Sequence, residues 1–147
     1  MTRFYDGDDA VARIAHGVID KTLPKPEWTH AAHFAAALWL LRARPLVAVA
    51  AAMPGLIRAY NEATDTPNTD TGGYHHTITL ASLGAAADFL GQYGHDHSLH
   101  LVVDDLMASP LGNPSWLLEY WSKGRLFSAA ARRNWVEPDL QPFPHGV

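Results

Sequence analysis

Apolar residues recur along the chain at helical spacing, and breaks rich in glycine and proline cut that pattern into short segments. Val11, Ile14, Val18 and Ile19 line one face of a predicted first helix. Asp6-Gly7-Asp8-Asp9 opens it with N-cap chemistry and with negative charge at the positive end of the helix dipole. The helix runs to about Lys21 and stops at Leu23-Pro24-Lys25-Pro26, because proline cannot donate and disfavours helix in the residue before it. A second helix is predicted from an N-cap at Thr29 to about Arg44. From His30 to Leu41 its only side chains other than Ala, Phe, Leu and Trp are two histidines, the pattern of a helix buried all round. Pro45 suits the start of a third helix ending near Ala63, which Pro54-Gly55 is expected to kink or split.

Thr64 to Thr71 is dense in Thr, Asp, Asn and Pro and reads as a loop. Gly72-Gly73 opens a fourth helix, roughly Tyr74 to Tyr93. After the loop Gly94-His95-Asp96-His97, Ser98 caps a fifth helix through Met107. A turn at Pro110-Leu111-Gly112-Asn113-Pro114 precedes short helices around Ser115–Trp121 and Lys123–Trp135. The tail from Glu137 carries three prolines and is expected to be irregular. No strand alternation or internal repeat interrupts this series. The predicted fold class is all-α: one domain over residues 1–147, an irregular bundle of about five main helices plus short C-terminal ones.

Composition narrows the partners. The chain is 48% apolar and 18% charged, enough apolar matter to build a core at 147 residues. Its formal net charge is −4, and the densest basic pair is Arg132-Arg133, so a phosphate-binding surface for nucleic acid is not expected. Cysteine is absent, which excludes disulfides and thiolate metal sites and leaves His, Asp and Glu as the strong ligands. Absence of disulfides also fits a reducing compartment. The N-terminus lacks the apolar run of a signal peptide, and the longest apolar stretch, Phe34 to Leu41, is too short to span a bilayer. The expected location is the cytoplasm, with no membrane partner. Five Trp and five Tyr spread along the chain read as core or interface material, leaving room for a homo-oligomer.

Histidines inside the apolar helices are the candidate chemistry. In Glu27-Trp28-Thr29-His30-Ala31-Ala32-His33, His30 and His33 lie about 60° apart on the helical wheel, sharing a face with Ala37 and Leu41. In the fourth helix His75, Thr79 and Ser82 form one narrow polar line. Thr77 and Asp88 form a separate line expected to face water. A polar stripe within an apolar helix needs partners, because an unsatisfied buried polar group costs roughly 1–3 kcal/mol. Crossing helices would bring His30, His33 and His75 together as three neutral nitrogen ligands with one open coordination position, the pattern of catalytic metal sites. Each histidine hydrogen-bonded to a backbone carbonyl or carboxylate is the structural alternative. His76 reads as a core or rim histidine. His95, His97 and His100 read as a solvated, histidine-rich loop, and Arg132-Arg133 are expected to fasten the tail through Glu137-Pro138-Asp139.

Three stretches, Trp28-Thr29-His30-Ala31-Ala32-His33, Gly73-Tyr74-His75-His76-Thr77-Ile78-Thr79 and Trp135-Val136-Glu137-Pro138-Asp139-Leu140, occur in this order. In them the chain, from about Glu27 onward, resembles a family of small bacterial all-helical proteins. The resemblance implies that the positions of His30, His33 and His75 are the characteristic histidines, and that His76 departs from a variable, often acidic position. It brings no activity with it.

Two classes of function follow. The leading expectation is a metal-dependent enzyme acting on a small organic molecule. A divalent ion (Zn, Fe, Ni or Mn) on His30, His33 and His75 would activate water or polarise a carbonyl for hydrolysis, hydration or lyase chemistry, with Glu27 the nearest candidate base. The alternative is a non-catalytic helical module that binds a small ligand or partner, with its histidines satisfied by internal hydrogen bonds.

Overall fold

Alanine and leucine on every side make α2 (His30–Ala43) the helix on which the others pack. The computed structural model describes residues 3–146, so Met1, Thr2 and Val147 of the expected domain lie outside it. It is all-helical, 61% helix with no strand among the described residues, and forms one domain. The other helices are α1 (Asp8–Ile19), α3 (Leu46–Ala63), α4 (His76–Leu90), α5 (Leu99–Ala108), α6 (Lys123–Leu126) and α7 (Ala129–Arg133). Short 3₁₀ turns at Lys25–Glu27, Pro110–Gly112 and Trp116–Glu119 connect them. α2 packs against α1, α3, α4 and α5. Phe34 and Leu38 on α2 join Leu83 of α4, with Val102, Val103 and Leu106 of α5, in the main core. A smaller cluster centres on Ile14, Val18, Ala32 and Tyr60, whose hydroxyl donates to the Leu23 carbonyl at 2.8 Å.

Helix starts follow the sequence with instructive exceptions. Thr29 caps α2 as expected, its hydroxyl accepting from Ala32 N at 3.2 Å. At α1 the N-cap falls on Gly7, which has no side chain to offer. Asp8 instead serves another helix: its carboxylate accepts from His100 N in the first turn of α5 and from the His100 ring, at 2.9 and 2.8 Å. α3 is not split, for it runs unbroken through Pro54, where Met53 and Ile57 bury against the core. Proline removes one hydrogen bond there, and the packing of the flanking turns offsets it.

The expected wet line of α4 holds at Asp88, which is exposed, and fails at Thr77. Thr77 is fully buried, because the C-terminal segment folds over it. Its hydroxyl hydrogen lies between the Ala131 and Asn134 carbonyls, each at 2.8 Å, and its oxygen accepts from Val136 N at 3.3 Å. Asp88 meets the tail through His145 at 2.7 Å. The tail beyond Glu137 is irregular, and Phe143 packs against Trp121 and Trp135. The tail's acids do not take Arg132 and Arg133. Arg133 pairs with Asp70, Nε to Oδ1 at 2.7 Å, and Arg132 donates to the Gly73 and Tyr74 carbonyls. Asp139 accepts from Ser122 instead, at 2.8 Å from its amide. No helix among the described residues is long and apolar enough to cross a membrane.

Candidate functional site

Where α2, α3 and α4 diverge, the segments Pro114–Leu118 and Leu126–Phe127 close the gap only partly and leave a cavity of about 380 Å³. Phe34, Met53, Ile57, Leu83 and Trp116 give it an apolar wall, and no Asp, Glu, Lys or Arg among the described residues lines it. Its polar groups are few: His30 and His33 from α2, Thr79 and Ser82 from α4, and Ser115. The polar line read along the fourth helix therefore does reach a cavity.

Each of the three singled-out histidines is fixed by a backbone carbonyl. His30, in the first turn of α2, places Nε2 2.8 Å from the Leu111 carbonyl in the Pro110–Gly112 turn. His33, nearly one turn on, places Nδ1 2.7 Å from the Thr29 carbonyl and stacks on Trp28 with centroids 3.8 Å apart. A carbonyl only accepts, so in both rings that nitrogen carries a proton, and in the neutral form the other is a lone pair. No hydrogen bond among the described residues engages His30 Nδ1 or His33 Nε2.

His75 differs. It is the N-cap of α4, Nδ1 accepting from Ile78 N at 3.1 Å while Nε2 donates to the Leu126 carbonyl at 2.6 Å. It is 7% exposed and has no nitrogen left over. Among the described residues no group of three or more His, Asp or Glu side chains is set to hold a metal ion, so the expected three-histidine arrangement is not formed. The reason is local. As an N-cap, His75 is turned back toward its own helix end, so it staples α4 to α6 and leaves the lining of the cavity to Thr79 and Ser82.

Glu27 is also placed elsewhere. It lies in the 3₁₀ turn before α2, and Arg13 grips its two carboxylate oxygens at 2.7 and 3.2 Å. That guanidinium holds the carboxyl below its ordinary range, and Glu27 does not line the cavity. Of the histidines expected in the loop, His97 offers its backbone carbonyl to Arg42, while His100 lies instead in the first turn of α5 and binds Asp8. His76 Nδ1 meets the Tyr74 hydroxyl at 2.7 Å.

Burial lowers the pKa of His33, His75 and His76 alike. His33 is pushed down to about 4: protein packed round the ring penalises its charge and neighbouring His30 and Lys25 add to this, against the Thr29 carbonyl. His33 is nonetheless an exposed residue, and contact with water tempers that push. For His75 the nearby Arg132 adds to desolvation, and for His76 the Arg58 guanidinium does. A histidine with a depressed folded pKa binds fewer protons folded than unfolded. Its contribution to stability is complete above the unfolded value near 6.5 and is lost progressively as pH falls through the folded value. We therefore expect the urea midpoint to fall steadily from pH 7 to pH 4.5. A midpoint flat over that range would contradict the lowered pKa of these rings.

Sequence reasoning did not foresee the walls at Trp116, Leu118 and Phe127, nor the Leu111 and Leu126 carbonyls that fix two of the histidines. Backbone carbonyls carry no residue signature. No protein-family model, curated protein or solved structure matches this chain.

Proposed function

We propose that the protein binds a small, largely apolar organic molecule in this cavity, as a helical ligand-binding module whose histidines are internally hydrogen-bonded. The observation that carries the reading is the cavity itself: about 380 Å³, apolar on most of its wall, with a few polar groups contributed by α2 and α4. Ligand sites are commonly of this size and make-up. His30 ties α2 to the Pro110–Gly112 turn and His75 ties α4 to α6, so elements that supply the wall are held by hydrogen bonds before any ligand arrives. Preorganisation of this kind lowers the entropy lost on binding. A three-ligand metal centre lacks its third imidazole, since both nitrogens of His75 are committed within the fold.

The neutral fluorophore N-phenyl-1-naphthylamine tests the reading. It should bind one-to-one with enhanced fluorescence, and Ser82→Phe, which places a ring in the cavity, should weaken binding at least tenfold while leaving the helical circular-dichroism spectrum intact. Equal binding by wild type and Ser82→Phe would refute the cavity as the site.

A further inference from the structure

Building on the cavity as the ligand site, we propose that its ligand is an uncharged molecule carrying a hydrogen-bond donor, of the phenol or hydroxylated-ring class, which gives its O–H to His33 Nε2. The tautomers decide this. His33 spends its one N–H on the Thr29 carbonyl at 2.7 Å and His30 spends its own on the Leu111 carbonyl at 2.8 Å, so the free nitrogen of each neutral ring can only accept. Thr79 adds to the bias, because its hydroxyl hydrogen goes to the His75 carbonyl at 2.8 Å and only its lone pairs remain. Among the cavity's polar side chains, His30, His33 and Thr79 thus present acceptors only, and donors come solely from the hydroxyls of Ser82 and Ser115.

An anion finds nothing there to balance it. No lysine or arginine among the described residues lines the cavity. The nearest cation acting on His33, Lys25, lies outside the lining, its Nζ directed to Asn61 Oδ1 at 3.3 Å and over the Tyr60 ring. Burying an unpaired carboxylate is strongly unfavourable, whereas a hydroxyl that meets an acceptor keeps a hydrogen bond. The lowered pKa of His33 agrees with this, since it keeps the ring neutral and its lone pair free. Trp28 stacked on His33 holds that ring in place, and Phe34, Met53, Leu83 and Trp116 give the cavity an apolar wall for a flat ring.

Calorimetry at pH 7.5 with three probes of one ring size tests this: 2-naphthol (donor), 2-methoxynaphthalene (acceptor only) and 2-naphthoate (anion). A net hydrogen bond is worth about a factor of ten, so 2-naphthol should bind roughly tenfold tighter than the methyl ether, and naphthoate most weakly. In His33→Phe, which keeps a ring but removes the acceptor, the preference should shrink to about twofold or less, while His33→Gln, with its amide oxygen, keeps part of it. If the ether binds wild type as tightly as 2-naphthol, the donor inference fails and the cavity reading stands. If naphthoate binds tightest, the polar end carries positive charge and the inference is overturned. Failure of all three probes to bind would remove the cavity reading and this inference with it.

Discussion

Replacing His75 by alanine should lower the melting temperature by roughly 10 °C, the consequence of losing about 3 kcal/mol at a domain of this size. Two hydrogen bonds disappear together. The Ile78 amide loses its cap, worth about 1 kcal/mol, and the Leu126 carbonyl, now buried beside a hole, loses its donor at a cost of roughly 1–3 kcal/mol. His75→Asn separates them, because asparagine caps a helix well but is too short to reach Leu126, so it should recover about 1 kcal/mol. Thermal denaturation followed by circular dichroism reads both variants. The same drop should appear with and without a strong chelator, since the role of His75 is internal to the fold. A melting temperature that falls when wild type is treated with chelator, and a His75→Ala variant indifferent to that treatment, would restore a metal to this residue. Ligand affinity should fall along with stability, because Leu126 and Phe127 form cavity wall at the segment His75 holds.

What could be read from the chain, and what could not, follows from how far apart the partners lie. α2 was legible from end to end: Thr29 announces the cap, and the run from His30 to Leu41 has no polar face to turn to water. The line His75, Thr79, Ser82 was visible on a helical wheel, and two of its members do line a cavity. The chemistry assigned to that line was a different matter. His75 is completed by a carbonyl 51 residues later in the chain, and any residue type can supply a carbonyl. Thr77 illustrates the same limit from the other side. On an isolated helix it falls on the face away from the core, yet the segment from Ala131 to Val136 covers it and makes it fully buried. Charge pairing was just as opaque, for Arg133 passes over the nearby tail acids to reach Asp70, 63 residues away. Local patterns thus gave the helices and one face of the site, while the contacts between distant segments decided what each polar group does.

Gly112→Ala should cost about 3 kcal/mol, comparable to a forced core overpacking, although it adds a single carbon. A Cβ at this position would overlap the Met107 carbonyl oxygen and lie 2.7 Å from its carbonyl carbon, both backbone atoms of the last turns of α5. Backbone inside a helix cannot retreat as a flexible side chain would, so the Pro110–Gly112 turn must swing outward instead. That turn is closed by Gly112 N donating to the Ser109 carbonyl at 3.0 Å, and it carries the Leu111 carbonyl that fixes His30. Displacing it withdraws the acceptor from His30 Nε2, frees the ring to rotate, and loosens the Pro114–Leu118 wall that follows. The variant should therefore lose both urea resistance and affinity for the naphthylamine probe. Gly55→Ala is the contrasting control: nothing lies within 4 Å of its would-be Cβ, and it sits inside α3. There the substitution should be neutral or stabilising by about 0.5–1 kcal/mol, because alanine gives up less backbone freedom in a helix than glycine does. If Gly112→Ala unfolds at the same urea concentration as wild type and binds the probe equally well, then the turn does not press against α5, and His30 is not held in place by it.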